Sequence, residues 1–343
     1  MLAERKKQHL DIVLGSGSVS GRIETGFDAI RFEHVALPEI DMAAIDLSTE
    51  FLGRRITAPF LVSSMTGGAE RALDINHNIA IACDAIGIPF AVGSQRVAID
   101  TESDWGMNLE LRRLAPSVPI LANIGAAQLN TGYGIEQARK AVEMIDADAL
   151  IIHLNPLQEA VQPEGDRNWS GLTMKIAALC DALHVPVVVK EVGSGISPAT
   201  AQALAAAGVR VIDVAGAGGT SWAAVEALRA RTPAEAAVAS AFADWGQPTA
   251  VAIAALRKAC PEAFIIGSGG IRTGVDAAKA IRLGADLVGQ AATVLESATS
   301  SPEEVVEHFE IMSAQLRLAC FCTGSSSLAE LRMARLEAVP SEG

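Results

Sequence analysis

Residues 149–159 read ALIIHLNPLQE. Ala149 to Ile152 are continuously apolar, the pattern of a strand buried on both faces. At His153 the character changes at once. An imidazole, the amides of Asn155 and Gln158 and the carboxylate of Glu159 follow closely, and Pro156 stops any regular continuation. A buried strand that opens directly onto such groups belongs in a sheet whose strand ends gather a site.

The same phrase recurs after residue 58: a short apolar run, a polar or glycine-rich loop, then a helix-spaced stretch. The runs are Phe60-Leu-Val, Pro89-Phe-Ala-Val, Pro119-Ile-Leu-Ala, Ala149-Leu-Ile-Ile, Val185-Pro-Val-Val-Val, Val209-Arg-Val-Ile-Asp-Val, Ala263-Phe-Ile-Ile and Ala285-Asp-Leu-Val. Between them lie helical spacings such as Ala199 to Ala207, and Gly274 to Leu283 with Val275, Ala278 and Ile281 on one side. Strand–helix units repeated in this way predict an α/β chain, a (β/α)8 TIM barrel over residues 58–335. Residues 1–57 form an N-terminal extension, residues 303–320 a closing helix, and the whole acts as one domain. A doubly wound open sheet is the alternative, but the units fill the segment without a second nucleotide-fold half.

Composition narrows the function. Net charge is −13, which argues against a nucleic-acid or anionic-membrane surface. The cysteines number five and are irregularly spaced, as in a reducing, cytoplasmic compartment. Cys320-x-Cys322 lacks partner ligands for zinc. The start, MLAERKKQHLD, has no apolar stretch of a secretory signal, and the apolar segment from Ala201 to Gly219 is broken by Arg210 and Asp213.

In a barrel the carboxyl ends of the strands converge on one mouth. Here they read Ser63-Ser-Met-Thr-Gly-Gly68, Gly93-Ser-Gln-Arg96, Asn123-Ile-Gly125, His153-Leu-Asn155, Lys190-Glu191-Val-Gly193, Gly216-Ala-Gly-Gly-Thr-Ser-Trp222, Gly267-Ser-Gly-Gly-Ile-Arg272 and Gly289-Gln-Ala-Ala-Thr293. Singly, each polar residue fits an ordinary loop hydrogen bond and each glycine a tight turn. Three adjacent glycine clusters after strands 6 to 8 favour a phosphate nest of backbone amides, with Thr220 and Arg272 at its rim. Lys190 ends an apolar strand and needs an anionic partner or a lowered pKa. It reads as a Schiff-base lysine or as a cation facing the N1–O2 edge of a reduced flavin.

Met65-Thr-Gly-Gly, Gly93-Ser-Gln-Arg, His153-Leu-Asn-x-x-Gln-Glu, Pro163-Glu-Gly-Asp, Val189-Lys-Glu-Val-Gly and Gly218-Gly-Thr, with Glu4-Arg-Lys-Lys-Gln-His9, together resemble the type 2 isopentenyl-diphosphate isomerases, an FMN-dependent family. The resemblance runs in order along nearly the whole chain. It implies that Met65, Thr66, Gly67, Ser94, Asn123, Lys190, Thr220, Gly270, Ile271, Arg272, Ala291 and Ala292 hold FMN. It implies that Arg5, Lys6 and His9, with Ser94, Gln95 and Arg96, hold the substrate diphosphate. Gln158 then sits by the reacting alkene, with His153 and Asn155 beside it as catalytic residues, and Glu159 binds Mg²⁺. Independently, Arg5 and His9 are one helical turn apart, so on a helix they share a face with Lys6 adjacent.

The expected reaction interconverts isopentenyl and dimethylallyl diphosphate by proton addition and abstraction. FMN acts in its reduced form, and NADPH or NADH is an activator that turnover does not consume. An isoprenoid diphosphate is the partner expected, within a homo-oligomer, a tetramer or octamer. An FMN-dependent 2-hydroxy-acid oxidase or dehydrogenase on the same barrel is the alternative. It needs a histidine base in the loop after strand 7, which here reads Gly-Ser-Gly-Gly-Ile-Arg-Thr-Gly. A purine-nucleotide dehydrogenase needs a cysteine after strand 6, where none stands.

Overall fold

A computed structural model describes residues 2–15, 19, 21–65, 70–101 and 104–337, with the backbone alone for 2–7, 70 and 71. Eight parallel strands close into a barrel: β1 (Phe60–Val62), β2 (Phe90–Ala91), β3 (Ile120–Gly125), β4 (Ala149–Leu154), β5 (Val187–Glu191), β6 (Val211–Asp213), β7 (Phe264–Ser268) and β8 (Leu287–Gln290). Each neighbours the next, and β8 closes on β1 with Val288 opposite Phe60. All eight apolar runs of the sequence fall on these strands.

Alternation along the strands builds two layers. One face of each strand packs outward against the helices. The other fills the lumen with Leu61, Ala91, Leu121, Ile151, Val188, Val211, Ile266 and Leu287. Below them an antiparallel hairpin, Thr49–Phe51 with Arg54–Ile56, plugs the floor with Phe51 and Ile56. Carboxylates clamp this amino-terminal face. Asp148 accepts the N–H of Ile120 at 2.8 Å and pairs with Arg112 at 2.6 Å and Arg54 at 2.9 Å. Asp286 accepts the N–H of Ile265 at 2.8 Å and pairs with Arg257 at 2.5 Å.

The helices follow the spacing read from sequence, with one correction. Helix Pro198–Ala206 starts under the Ser197 cap, and helix Gly274–Leu283 starts under a Thr273–Asp276 capping box. In the latter, Val275 is 43% exposed rather than sharing the buried side of Ala278 and Ile281. The stripe runs instead through Gly274, Ala277, Ala278 and Ile281, because the helix lies against Met312 and Leu316 of the closing helix Pro302–Cys322. The first helix, Leu2–Gly15, buries Leu10 in the main core. Among the described residues, no helix is long and apolar enough to cross a membrane.

Candidate functional site

Two residues beyond each lumen residue, the strands present Ser63, Gly93, Asn123, His153, Lys190, Asp213, Ser268 and Gly289. The pleat turns all of them to the same side, so a polar layer lies directly on the apolar lumen. Above it opens a cavity of about 290 Å³, lined by six of these residues and by the loops that follow.

Lys190 stands in this layer with 9% of its side chain exposed. Its Nζ donates to the carbonyl of Glu191 at 2.8 Å and lies 3.6 Å from Asp213 Oδ2. Asp213 also accepts the hydroxyl of Ser268. The lysine is therefore a paired buried cation. Breaking such a pair by removing one partner typically costs about 3–5 kcal/mol. Next in the chain, Glu191 Oε2 accepts the N–H groups of Val192, Gly193 and Ser194 at 2.5–2.6 Å. Burial pushes the Glu191 carboxyl up to about 7, against the pull of these amides and of Lys190.

At the end of β4, His153 Nδ1 lies 2.8 Å from Asn123 Oδ1. Pro156 opens helix Pro156–Val161, which points Gln158 and Glu159 at the mouth. Asn155 Nδ2 donates to Gln158 Oε1 at 3.1 Å and to Glu159 Oε1 at 3.0 Å. The other end of the Gln158 amide reaches Glu226 Oε1 at 3.4 Å. Glu226 comes from helix Trp222–Arg229, one turn after Trp222. It is 3% exposed and sits 2.8 Å from His9 Nε2 and 2.5 Å from Arg229 Nη1. Burial alone would raise its pKa. The contacts to His9, Arg229 and Gln158 win and hold it below the ordinary carboxylate range. His9 also meets the Trp222 ring edge-on at 5.2 Å. The first helix is thereby tied over the cleft.

Glu159 is 4% exposed, faces the cavity and has no cationic side chain paired with it among the described residues. Gln162 Nε2 and the N–H of Asp166 donate to its Oε2 at 2.5 and 2.7 Å. The Pro163-Glu-Gly-Asp turn wraps it so closely that a side chain at Gly165 would overlap the Glu159 carbonyl. Asp166 in turn pairs with Arg96 at 3.1 Å. Among the described residues no cluster of three or more His, Cys, Asp or Glu forms a self-sufficient metal site. One buried, cavity-facing carboxylate suits Mg²⁺, which binds through one or two carboxylates plus phosphate oxygens and water.

The loops after β6, β7 and β8 form the opposite wall. Thr249 welds two of them: its hydroxyl lies 2.7 Å from the Gly269 carbonyl and 3.1 Å from that of Ala217. A Cβ on Gly219 would lie 2.7 Å from the Gly270 nitrogen, and Gly270 has φ +68°, so only glycines permit this approach. Gln290 Nε2 holds the Ile271 carbonyl at 3.0 Å. Arg272 is exposed at the rim with no ion-pair partner among the described residues. Helix Ala292–Ser300 begins at the cavity wall. Four polar atoms buried at the cavity lack a hydrogen-bond partner among the described residues: Ser63 Oγ, Ser64 Oγ, Gln128 Oε1 and Asn155 Oδ1. A polar floor, unpaired polar atoms and a glycine cradle with a helix N-terminus and a cation fit a flat, phosphorylated cofactor such as FMN.

Of the residues singled out from sequence, Met65, Ser94, Asn123, Lys190, Thr220, Gly270, Ile271, Arg272, Ala291, Ala292, His9, Arg96, His153, Asn155, Gln158 and Glu159 line this one cavity. Thr66 and Gly67 lie outside the described residues, as do the side chains of Arg5 and Lys6. Gln95 is not brought to the cavity. It is 0% exposed; its Nε2 donates to the Ala141 carbonyl at 2.8 Å and its Oε1 accepts the N–H of Asn123 at 2.9 Å. Its amide is consumed in fixing β3, and it supports Asn123 from behind. Sequence reading passed over Asp213, Glu226, Thr249 and Gln290. Asp213 carried a signal: an acidic residue inside an apolar strand, at the depth where Lys190 required an anion.

The FMN-dependent dehydrogenase family matches residues 4–101 and 135–338. The isopentenyl-diphosphate delta-isomerase of Stutzerimonas stutzeri is 61% identical over 335 residues, covering 98% of this chain and 97% of that protein. The protein of the same name from Cronobacter sakazakii is 57% identical, covering 99% and 98%. Among solved structures, a mandelate oxidase superposes with a TM-score of 0.66 over 98% of each chain at 18% identity, a likeness of fold alone.

Proposed function

The chain belongs to the FMN-dependent dehydrogenase family and, within it, stands with the isopentenyl-diphosphate delta-isomerases, and on that premise we propose how its cleft interconverts isopentenyl and dimethylallyl diphosphate. The observation that carries the reading is the Gln158 amide, held at the cavity between Asn155 and Glu226 with Glu159 beside it. No histidine base of the oxidase kind stands in the loop after β7.

The β6–β8 loops, Thr220 and Arg272 would hold the FMN phosphate, and Ser63, Ser64, Met65, Asn123 and Lys190 would hold the ring system. Reduced FMN supplies a proton donor and acceptor and an electron-rich face beside the alkene. Lys190 would stabilise the negative charge of that reduced form. Arg96 and His9, with Arg5 and Lys6 of the first helix, would take the diphosphate, and Glu159 would bind Mg²⁺, which would offset part of the diphosphate's charge. Gln158 orients the alkene end and holds or passes a proton at its amide, with Asn155 and His153 fixing its surroundings. The first helix closes the cleft, and exclusion of water protects developing positive charge on the tertiary carbon.

NADPH or NADH would keep the flavin reduced, and the isomerisation itself moves a proton with no net change of oxidation state. Residues 1–57 serve the same functional unit as the barrel, since Leu10 joins its core and His9 its cleft. A homo-oligomer, a tetramer or octamer, would cover apolar side chains such as Leu37, Met174 and Met333, each at least 75% exposed. The unpaired cysteines suit a reducing cytoplasm.

The test is turnover in D₂O under anaerobic conditions. The isomerase reading expects solvent deuterium in dimethylallyl diphosphate with no net consumption of reductant. Oxygen uptake with 2-hydroxy acids and an undeuterated isoprenoid would overturn it.

A further inference from the structure

Lys190 acts through a partner. Asp213, at the end of β6, is 1% exposed and does not itself line the cavity. Its Oδ2 lies 3.6 Å from Lys190 Nζ, while Oδ1 accepts the Ser268 hydroxyl and, at 3.3 Å, the N–H of Ala215. Lys190, Ser268 and Ala215 do line the cavity. Ala215 holds φ +36°, unusual for a residue with a side chain, so this turn is maintained against backbone strain. One hidden carboxylate therefore ties the ends of β5, β6 and β7 beneath the cleft. Stability alone is a weak reason for it, because apolar replacements of buried ion pairs are often neutral or stabilising.

We propose that Asp213 is a positioning residue that, through Lys190, sets the reduction potential of the bound flavin. The inference rests on FMN occupying this cleft. Asp213 pins the ammonium and offsets its charge, so that the pair presents less than a full cation to the anionic reduced flavin. Replacing the carboxylate by an amide of the same shape exposes that charge. Removing the lysine instead takes away the charge through which Asp213 acts, so an amide in its place should then change the potential little.

The experiment measures the potential of bound FMN in wild type, Asp213→Asn, Lys190→Met and the double variant. Asp213→Asn should shift the reduced-to-oxidised ratio about tenfold toward the reduced form, about 30 mV for a two-electron couple. Lys190→Met should shift it the other way, and adding Asp213→Asn to Lys190→Met should change nothing further. A wild-type potential in Asp213→Asn, or the same shift in both backgrounds, overturns the proposal. Should Asp213→Asn not fold, Ser268→Ala decides. Without its hydroxyl donor the carboxylate concentrates on Lys190, and a smaller shift toward the oxidised form is expected; an unchanged potential overturns the proposal. If the wild type binds no FMN, the flavin reading fails first, and visibly so.

Discussion

Glu226→Gln should loosen the first helix selectively. Glu226 bonds His9 at 2.8 Å and Arg229 at 2.5 Å, with side-chain exposures of 1%, 13% and 13%. The amide keeps the shape but loses the charge, and one of its two ends now offers a donor to a partner that needs an acceptor. A hydrogen bond to a charged group contributes about 1.5–3 kcal/mol. Losing the His9 bond at about 2 kcal/mol would raise the undocked population of the helix roughly 30-fold. Hydrogen exchange should show this as accelerated exchange within Leu2–Gly15, with the barrel strands unchanged. KM for the diphosphate should rise, because docking carries the side chains proposed to bind it. Because the Glu226 pKa is depressed in the folded protein, its stabilising contribution is present above the ordinary value of 4.5 and fades as pH falls through the lower, folded value. The wild-type helix should therefore loosen in acid, and the variant should lack that acid-dependent step. Unchanged exchange in the helix, or equal acceleration along the whole chain, would refute the tether.

Glu159→Gln should keep bound FMN and lose the Mg²⁺ dependence of substrate affinity; measuring KM against Mg²⁺ concentration checks this, and an unchanged dependence places the metal elsewhere. Glu191 has the opposite sign to Glu226. Its folded pKa of about 7 lies above the ordinary 4.5, so its contribution to stability is full below about 4.5 and is lost as pH rises from there through about 7. Denaturant unfolding across that range should show the fall in wild type and not in Glu191→Gln. Gly165→Ala should displace the turn that wraps Glu159, raising KM for Mg²⁺ far more than it affects FMN affinity, which fluorescence titration reads separately.

The barrel was legible because strands buried on both faces must be continuously apolar, and such short runs recur here between polar or glycine-rich loops. The site was legible where chemistry clusters locally, as in His153 to Glu159. It was not legible where function depends on pairing across the fold. Glu226 meets His9 from 217 positions away, and a glutamate in an ordinary amphipathic helix gives no sign of that. Gln95 shows the reverse error: a residue inside a binding motif whose side chain turns to the core, which spacing alone does not reveal. Val275 followed helical spacing, but the direction of the buried stripe was set by the closing helix, a tertiary choice.

The central claim is that reduced flavin and a metal-bound diphosphate do redox-neutral chemistry in this one cleft. Its most direct test is anaerobic conversion of isopentenyl diphosphate with FMN, Mg²⁺ and NADPH, each omitted in turn. The account predicts that leaving out FMN or Mg²⁺ abolishes turnover, and that NADPH can be replaced by chemical pre-reduction of the flavin with no further reductant consumed. Full turnover with oxidised FMN in air, without any reductant, would contradict it.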